Sequence, residues 1–494
     1  MRYLRSTSRR LAIVLVAFAA AVAGSVIVRD LFAGPAKRPD LRGVPNIVVV
    51  QTDDQTVDGL RALPRTERLL FGAGTSFANQ TVAWPSCGPS RATFLSGRYA
   101  HNHGMRGNNP PRGGIERFDE SRTLATALDE RGYATAHVGK YLNGYGEETP
   151  AEYVPPGWDE WFSAVGASVQ SQYRYVMNDN GETREFGARR RDYKQDVLTG
   201  RAVELVERYT NADSKAPLYL QVDYTAPHTS GSKRSPRPPH DCRRAPLPPE
   251  RYARSFDGER PRDDESFDER DVSDKPRGVR ERPRLDRAAR ERIDRRYRCS
   301  LAMLKTVDDG VGRIVDALER EDALDDTYVI FTSDNGFIYG EHRIETGKDV
   351  VYDSATNVPF AIRGPGVPAG EVRDTPTSNV DLAPTIAALA GARLTSSPDG
   401  RSLVPLIEGR PDFDRGVLVE RTDADAKDDY HAIRERRYLY VEYGSGDIEL
   451  YDMLSDRRQP RSLHRDRDQQ DRIEQLAGRL AKLRDCGGGD CDVG

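Results

Sequence analysis

The sequence predicts an α/β fold with a large, mostly parallel central sheet flanked by helices. Four runs have the length and composition of strands, and the first contains four consecutive apolar residues, as expected when both faces of a parallel sheet are covered. These runs span residues 46–51, 133–138, 218–223 and 327–332. Segments with apolar residues at helical spacing lie between or beside them, at residues 123–130, 192–209 and 297–318. Strands that alternate with helices along the chain are typical of an α/β sandwich.

Length and composition describe a globular protein with a polar surface. The chain has 494 residues, enough for two or three domains, with 37% hydrophobic and 31% charged residues. Its 74 basic and 78 acidic residues give a formal net charge of −4. This balance gives no overall bias towards nucleic acid or an anionic surface, so we expect no nucleic-acid partner. Any recognition of an anion must therefore be local.

The first 36 residues have the pattern of a targeting segment. Four arginines, at positions 2, 5, 9 and 10, precede an apolar run over residues 11–28. The small residues Ala21-Val22-Ala23 offer a cleavage site. We expect a cleaved signal peptide, with the export machinery as a partner and a secreted or cell-surface product. Because the apolar run is near the minimum that spans a bilayer, an uncleaved anchor is the alternative.

Five cysteines fit an exported protein. Cys486 and Cys491 flank a short glycine-rich loop that could close into a disulfide. Cys242 and Cys299 bracket a charged segment and are a second candidate pair. Cys87 is then left over. Sequence alone does not determine the pairing, so this count supports a special role for Cys87 without proving it.

The stretch from Pro85 to Arg98 carries the strongest local signal. Pro89 suits the first turn of a helix, where its missing N–H needs no partner. Cys87 would lie just before that helix, where free backbone N–H groups favour an anion. Arg91, one turn further, adds a planar cation that suits a tetrahedral oxyanion. The stretch predicts a reactive position that faces an anionic group, and a buried cysteine before an ordinary helix is the alternative.

Two polar corners follow predicted strands. Asp53 and Asp54 follow the first strand, and Asp334 and Asn335 follow the strand over residues 327–332. The carboxyl ends of strands are where open α/β sheets bind ligands. Two adjacent carboxylates repel each other unless a cation holds them, so Asp53 and Asp54 point to a bound cation, whereas the Asp-Asn-Gly stretch at 334–336 is on its own a good turn. Solvated turns are the alternative.

Together these motifs resemble the type I, formylglycine-dependent sulfatases. Cys87-Gly88-Pro89-Ser90-Arg91, with its Leu95-Ser96-Gly97-Arg98 tail, matches the family signature, and further motifs follow in the family's order from residue 46 onward. The resemblance implies an alkaline-phosphatase-like sandwich. It also implies that a formylglycine-generating enzyme oxidises Cys87 to formylglycine, whose hydrated aldehyde is the nucleophile.

The resemblance also assigns roles to single residues. Oxygen-rich ligands imply a hard divalent cation, Ca²⁺ first and Mg²⁺ second. The implied ligands are Asp53, Asp54, Asp334 and Asn335 together with residue 87. Arg91 would steady the aldehyde hydrate. Lys140, Lys348 and His228 would stabilise charge on the sulfuryl group, and His228 would protonate the leaving alcohol. Taken singly, Lys140 would be read as a surface lysine and His228 as a structural histidine.

Weaker features indicate the branch of the family. The stretch Gly139-Lys140-Tyr141-Leu142-Asn143 resembles the N-acetylglucosamine-6-sulfatases, a branch that includes the extracellular endosulfatases. Many sulfatases have a histidine two residues after the lysine, where this chain has leucine, so Asn143 is the candidate that stands in for it. His101 and His103 either contact substrate or brace their loop. His342 is a further candidate for substrate contact.

The domain organisation follows from changes in composition. We expect a leader over residues 1–36, a catalytic domain over 37–412 and a C-terminal α+β subdomain over 413–494. Residues 229–296 are rich in Pro, Arg, Asp and Glu and predict a long, solvated insertion. In the C-terminal part we expect strands at residues 416–420, 432–442 and 449–451 and a helix at 471–483.

The sequence thus predicts an exported sulfatase that acts on a sulfated sugar, such as N-acetylglucosamine 6-sulfate in a glycosaminoglycan. Two alternatives stay open. One is a phosphonate monoester hydrolase or phosphodiesterase of the same superfamily. The other is an exported protein that binds sulfated glycans and never acquires formylglycine.

Overall fold

The computed structural model describes residues 41, 43–230, 242, 245–422 and 429–493. The predicted targeting segment, residues 1–36, lies outside these ranges. No helix within them combines the length and the apolar character needed to cross a bilayer.

A mixed sheet of ten strands forms the centre of the fold, and six further strands lie in a two-stranded and a four-stranded sheet. The strands in chain order are β1 (Asn46–Asp53), β2 (Thr75–Phe77), β3 (Gln80–Thr81), β4 (Ala134–Gly139), β5 (Glu160–Ala164), β6 (Val176–Asp179), β7 (Glu182–Glu185), β8 (Leu218–Pro227), β9 (Thr327–Ser333), β10 (Ala361–Arg363), β11 (Glu371–Arg373), β12 (Thr377–Ser378), β13 (Val417–Arg421), β14 (Tyr430–Arg434), β15 (Tyr438–Tyr443) and β16 (Ile448–Asp452). The central sheet has the order β11-β2-β10-β9-β1-β8-β4-β5-β6-β7. Its middle strands, β9 to β5, all pair in parallel, and antiparallel strands extend it on both sides.

Helices cover both faces of this sheet. The longer ones are α1 (Cys87–Ser96), α2 (Leu124–Arg131), α3 (Lys194–Tyr209), α4 (Arg287–Arg320), α5 (Leu382–Ala390) and α6 (Gln470–Arg484). Short helical turns lie at Pro64–Thr66, Ala100–His103, Arg277–Arg280, Asp353–Thr356 and Val404–Ile407. In β1, Val48 and Val50 pack with α3 and α4, whereas Ile47 and Val49 pack on the other face with α1, α2 and α5. The predicted α/β sandwich is confirmed.

The charged insertion differs from the prediction in two ways. It was expected to be solvated as far as residue 296, but α4 already begins at Arg287, where Asp286 caps the helix by accepting from the N–H of Ala289. The expectation of a solvated loop is also wrong for its apolar residues, because Val272, Val279 and Ile293 are buried in the cores. Residues this widely spaced in a charged stretch leave little periodic signal.

The C-terminal part forms a separate antiparallel sheet. Strands β13 to β16 pair in sequence order, and α6 packs against them through residues such as Leu476 and Leu480. The single strand predicted over residues 432–442 is wrong: it is two strands, β14 and β15, joined by residues 435–437. The charged run Arg434-Glu435-Arg436-Arg437 interrupts the apolar alternation at this point.

Both predicted disulfides are present. Cys242 pairs with Cys299 and Cys486 with Cys491, with Cα–Cα separations of 5.9 and 5.0 Å. The first bond ties the insertion to α4. Cys87 is a buried free cysteine.

Candidate active site

Four neighbouring parallel strands end at one edge of the central sheet. In the order β9-β1-β8-β4, their last residues are Ser333, Asp53, Pro227 and Gly139. Because parallel strands present their carboxyl ends on the same side, the polar residues that end or follow them lie together. The two predicted polar corners, the predicted lysine after β4 and the predicted histidine after β8 therefore belong to one site.

Cys87 is the first residue of α1. Ser86 precedes it in an extended conformation as the N-cap, so the helix starts one residue earlier than predicted, and Pro89 lies in the first turn as expected. Every residue of α1 is buried, including Arg91. The helix thus brings a thiol and a guanidinium group into the interior beside the strand ends.

Three carboxylates and the thiol converge. Ligand atoms of Asp53, Asp54, Asp334 and Cys87 all lie within 4.8 Å of one another. The Sγ atom of Cys87 is 3.3 Å from Oδ1 of Asp53. Nδ2 of Asn335 donates to Oδ1 of Asp54 at 2.7 Å, and the N–H of Asp54 donates to Oδ1 of Asp334 at 3.2 Å. The residues predicted to share a metal therefore lie close together.

Two lysines reach this cluster from different elements. Lys140, which is 1% exposed, donates from Nζ to Oδ2 of Asp53 at 2.6 Å. Nζ of Lys348 is 2.5 Å from Oδ1 of Asp54, 2.8 Å from Sγ of Cys87 and 3.3 Å from Oδ1 of Asn335. The two ammonium groups thus offset the charge of the carboxylates.

Burial and neighbouring charges set the ionisation of the cluster. Burial alone would raise the pKa of Asp53, but the positive charges of Lys140 and Arg91 help to hold that pKa far below its ordinary value. Burial and the charge of Asp53 together raise the pKa of Asp334. The same two causes raise the pKa of the Cys87 thiol to about 12, so this side chain is a neutral thiol.

The sequence analysis did not predict a buried ion-pair network that lies beneath the cluster. Nε of Arg91 donates to Oδ2 of Asp334 at 2.9 Å, and its Nη1 lies 3.6 Å from Oδ1 of Asp223. Oδ2 of Asp223 lies 2.9 Å from Nε2 of His137. The available signal was an aspartate inside a mostly apolar, fully buried strand, because a buried carboxylate needs partners.

His228 directly follows β8, which ends four residues beyond the predicted strand. Its Nδ1 lies 2.9 Å from the carbonyl oxygen of Thr229. A carbonyl only accepts, so Nδ1 carries the proton and Nε2 is the atom that faces Asp54, 3.8 Å from Oδ2. The side chain is 24% exposed. Nε2 is therefore placed to exchange a proton at the solvent side of the cluster.

His101 and His103 hold their own loop in place. The ring of His101 lies 3.0 Å from Oε1 of Glu420 through Nδ1 and 3.0 Å from the carbonyl of Cys486 through Nε2. Nε2 of His103 lies 3.1 Å from the hydroxyl of Thr93. These contacts match the bracing alternative, and substrate contact by either residue stays a prediction.

His342 and Asn143 differ in their surroundings. His342 is buried, with Nδ1 2.7 Å from Oε2 of Glu269 and its ring 3.9 Å from that of Tyr352. Burial lowers the pKa of His342 to about 3. Asn143 is partly buried, and within the described residues its Oδ1 has no hydrogen-bond partner, which leaves an acceptor for a ligand. A substrate contact stays a prediction for both.

The predicted ligand groups suit a hard divalent cation. Their donors are carboxylate and amide oxygens, the atoms that Ca²⁺ and Mg²⁺ prefer. A positive charge already contacts three of these groups, because the Lys348 ammonium touches Asp54, Asn335 and Cys87. Several side chains can thus bind one cation together, and that positive charge can hold a tetrahedral anion next to residue 87.

Two family models and several named proteins match the chain. Residues 45–392 match the Sulfatase family, and residues 340–486 match the C-terminal region of N-sulphoglucosamine sulphohydrolase. The chain is 33% identical over 367 residues to a Caenorhabditis elegans protein named as an extracellular sulfatase Sulf-1 homologue, over 73% of this chain and 49% of that protein. It is 29% identical over 389 residues to N-acetylglucosamine-6-sulfatase of Homo sapiens, over 76% of this chain and 67% of that enzyme. The chain therefore spans about half the length of the nematode relative.

A solved structure has the same fold. It is a protein in complex with its substrate D-glucosamine-2-N,6-O-disulfate, with a TM-score of 0.68 at 22% identity, over 89% of this chain and 97% of that one. At this identity the likeness supports the sandwich fold and no finer property.

Proposed function

This chain is a member of the sulfatase family, and we propose that it hydrolyses sulfate esters by cleaving the S–O bond, with release of sulfate and an alcohol. The observation that carries the proposal is the convergence of Asp53, Asp54, Asp334 and Cys87 within 4.8 Å. Two ammonium groups contact this cluster. Such an arrangement can hold a tetrahedral anion against a nucleophile and stabilise the charge that develops on it.

We propose further that residue 87 acts as formylglycine. The modification supplies a hydrated aldehyde with two hydroxyl groups, one to attack sulfur and one to drive the later release of sulfate. Nη2 of Arg91 is a buried donor that makes no hydrogen bond among the described residues, and we assign it to steadying this hydrate. Because Cys87 is buried, a formylglycine-generating enzyme would have to reach it before the chain folds.

The surrounding residues divide the remaining work. Asp53, Asp54, Asp334 and Asn335, with residue 87, would hold Ca²⁺ or, second, Mg²⁺, which supplies positive charge to activate the hydroxyl and neutralise sulfate oxygens. Lys140 and Lys348 would stabilise charge on the sulfuryl group. His228 would act as an imidazolium, with Nδ1–H donating to the Thr229 carbonyl and Nε2–H donating its proton to the leaving oxygen, in keeping with the place of Nε2 at the solvent side of Asp54.

The proposed substrate is a sulfated sugar, such as 6-sulfated N-acetylglucosamine in a glycosaminoglycan. The name of the human relative supports it. The proposed location is outside the cell. The nematode relative is named as extracellular, and two disulfides fit an oxidising compartment.

The test compares two ester classes. The protein is co-produced with a formylglycine-generating enzyme and assayed with para-nitrophenyl sulfate, N-acetylglucosamine 6-sulfate and bis-para-nitrophenyl phosphate. We expect sulfate esters to be the better substrates and Cys87→Ala to lower kcat/KM by at least about 10³-fold. Faster phosphodiester turnover would favour the phosphonate monoester hydrolase or phosphodiesterase alternative. Glycan binding without any turnover would favour the binding protein.

Chelation tests the metal. EDTA is expected to abolish turnover, and Ca²⁺ added in excess of the chelator to restore it. Turnover that survives exhaustive chelation would contradict the proposed metal.

A further inference from the structure

A cavity of about 420 Å³ lies beside the loop that carries Lys348. Residues 349–352 of this loop line one of its walls. The N–H of Asp349 donates to the carbonyl of Pro85 at 3.0 Å, which ties this wall to the segment that leads into Cys87. The volume lies within the range of small-ligand sites, roughly 300–1,000 Å³. The cavity thus adjoins both segments that build the proposed sulfate site.

Two other parts of the chain complete the cavity. The turn at Arg277–Arg280, with Arg282, forms a wall from the insertion, and the ends of β13, β14 and β15 form a wall from the C-terminal sheet. In the latter wall the rings of Tyr430 and Tyr443 meet edge to face with centroids 5.9 Å apart. Aromatic rings with a few polar groups are typical of ligand sites.

The aromatic wall is held rigidly from behind. The hydroxyls of Tyr443 and Tyr352 donate to the two carboxylate oxygens of Glu449, at 2.5 and 3.2 Å. Glu449 is buried. The rings of Tyr443 and Tyr352 are therefore fixed in place before any ligand arrives, which lowers the entropic cost of binding.

The charge of the cavity favours an anion. Arg277, Arg282 and Arg421 line it, against the two carboxylates of Glu281 and Asp349. Three arginines against two carboxylates leave one positive charge in excess among the lining side chains.

The insertion arginines of this wall are accessible. Arg277 is 63% exposed and pairs with Glu281 one turn away, a contact of little strength at a surface. Arg282 donates from Nε to the carbonyl of Gly278 at 3.1 Å and forms no ion pair within the described residues. Both guanidinium groups can therefore meet an incoming anion.

We infer that this cavity binds a second anionic group of the substrate, on a sugar unit next to the one whose sulfate is hydrolysed. The inference rests on the proposed function and narrows its substrate class to an oligosaccharide with more than one sulfate or carboxylate. Arg277 and Arg282 contact that group through charge-assisted hydrogen bonds. The partly exposed ring of Tyr443 packs against the sugar, and the buried ring of Tyr430 supports it from behind.

Binding without turnover tests the subsite. A heparin tetrasaccharide is titrated into Cys87→Ala protein by isothermal calorimetry, and then into the same protein with Arg277→Ala and Arg282→Ala added. We expect the two further substitutions to weaken binding about tenfold, because two charged contacts are lost. Arg287→Ala with Arg320→Ala is the matched control. It removes the same charge from exposed arginines of α4 that do not line the cavity.

Kinetics distinguishes the subsite from the proposed function. With Cys87 intact, Arg277→Ala with Arg282→Ala is expected to raise KM for the tetrasaccharide about tenfold and to leave kcat/KM for para-nitrophenyl sulfate unchanged. Equal tetrasaccharide affinity in the two double variants would overturn the subsite. If no sulfate ester is hydrolysed at all, the proposed function fails, and the calorimetric comparison still decides whether the cavity binds the anion.

Discussion

Asp53 is the residue on which the charged side chains of the site converge. Oδ1 lies 3.3 Å from the Cys87 thiol, and Oδ2 accepts from Lys140 at 2.6 Å and lies 3.8 Å from Nη2 of Arg91. All four side chains are buried. Removing one partner leaves a buried charge uncompensated, so each is coupled to the others. Local charge, and not the small net charge of the chain, determines the chemistry of the site.

Lys140→Ala is expected to lower kcat/KM for a sulfate ester by about 10³-fold, because it removes a cation that stabilises the developing charge of the transition state. Steady-state kinetics on protein with a wild-type circular dichroism spectrum provides the measurement. Lys482→Ala, on the exposed face of α6, is the matched control and should leave turnover unchanged. Near-normal turnover in folded Lys140→Ala protein would remove this lysine from the proposed mechanism.

Among the elements, the end of β4 shows how the backbone places a side chain. A Cβ atom at Gly139 would lie 1.9 Å from the carbonyl oxygen of Asp223 in β8, and φ at this residue is 129°. The N–H of Lys140 donates to the same carbonyl at 2.9 Å. Only glycine allows this close approach and this backbone conformation, and both are needed to aim Lys140 at Asp53.

Gly139→Ala should therefore destabilise the fold by on the order of 2–3 kcal/mol and reduce kcat/KM at least about tenfold. Gly200→Ala is the contrasting control, since Gly200 lies within α3 with no atom within 4 Å of an added Cβ. It should raise the free energy of unfolding by about 0.5–1 kcal/mol. Urea unfolding and kinetics measure both changes. An equal free energy of unfolding in the two variants would contradict this account, because it would show that β4 and β8 can move apart at no energetic cost.

The elements that carry the site could be predicted because each combines an apolar strand with a polar residue at its end. Others carried no such signal. β7 reads Glu-Thr-Arg-Glu and is exposed at the edge of the sheet, so it lacks apolar alternation. The first turns of α4 have only Ala289 and Ile293 as buried residues, too few to show a helical period. Pairing with β6 defines β7, and the cap at Asp286 defines the start of α4; the composition of these segments defines neither.

In the whole molecule, the C-terminal sheet holds the Lys348 loop through a buried acid. Glu449 of β16 accepts hydrogen bonds from the hydroxyls of Tyr352, Tyr443 and Tyr451. Tyr352 belongs to the loop that follows Lys348. Burial raises the pKa of Glu449 to about 7, in spite of these three donors. A polar cluster thus connects the C-terminal sheet to the proposed sulfate site.

This raised pKa predicts a pH dependence of stability. Between the ordinary value of 4.5 and about 7, folded Glu449 keeps a proton that the unfolded chain has released. Its contribution to the free energy of unfolding is therefore full at low pH and declines as pH rises through this window. Glu449→Gln removes the titration, so the stability difference between wild type and variant should fall by ~2–3 kcal/mol from about pH 5 to pH 8.

Urea unfolding at several pH values measures this difference. Glu474→Gln, on the exposed face of α6, is the control and should follow the wild type at every pH. A difference between wild type and Glu449→Gln that does not change with pH would contradict the raised pKa.

The order of strands and the partners of buried charges could not be predicted. Apolar runs in a sequence do not indicate which strands are neighbours in the sheet. In this structure β8 lies between β1 and β4, and this order brings His228, Asp53 and Lys140 together. Likewise, Asp223 meets Arg91 and His137 only after the sheet has formed. Such contacts join residues far apart in sequence and depend on tertiary packing. The motifs were predictable, and their geometry was not.

The central claim is that residue 87 is formylglycine in protein that hydrolyses sulfate esters. Its most direct test is the mass of the tryptic peptide from Leu69 to Arg91, taken from a preparation whose sulfate release has been measured. We predict a peptide in which an aldehyde replaces the thiol of Cys87, so that its mass is lower by one hydrogen sulfide and higher by one oxygen atom. A preparation that releases sulfate while this peptide contains only unmodified Cys87 would contradict the claim.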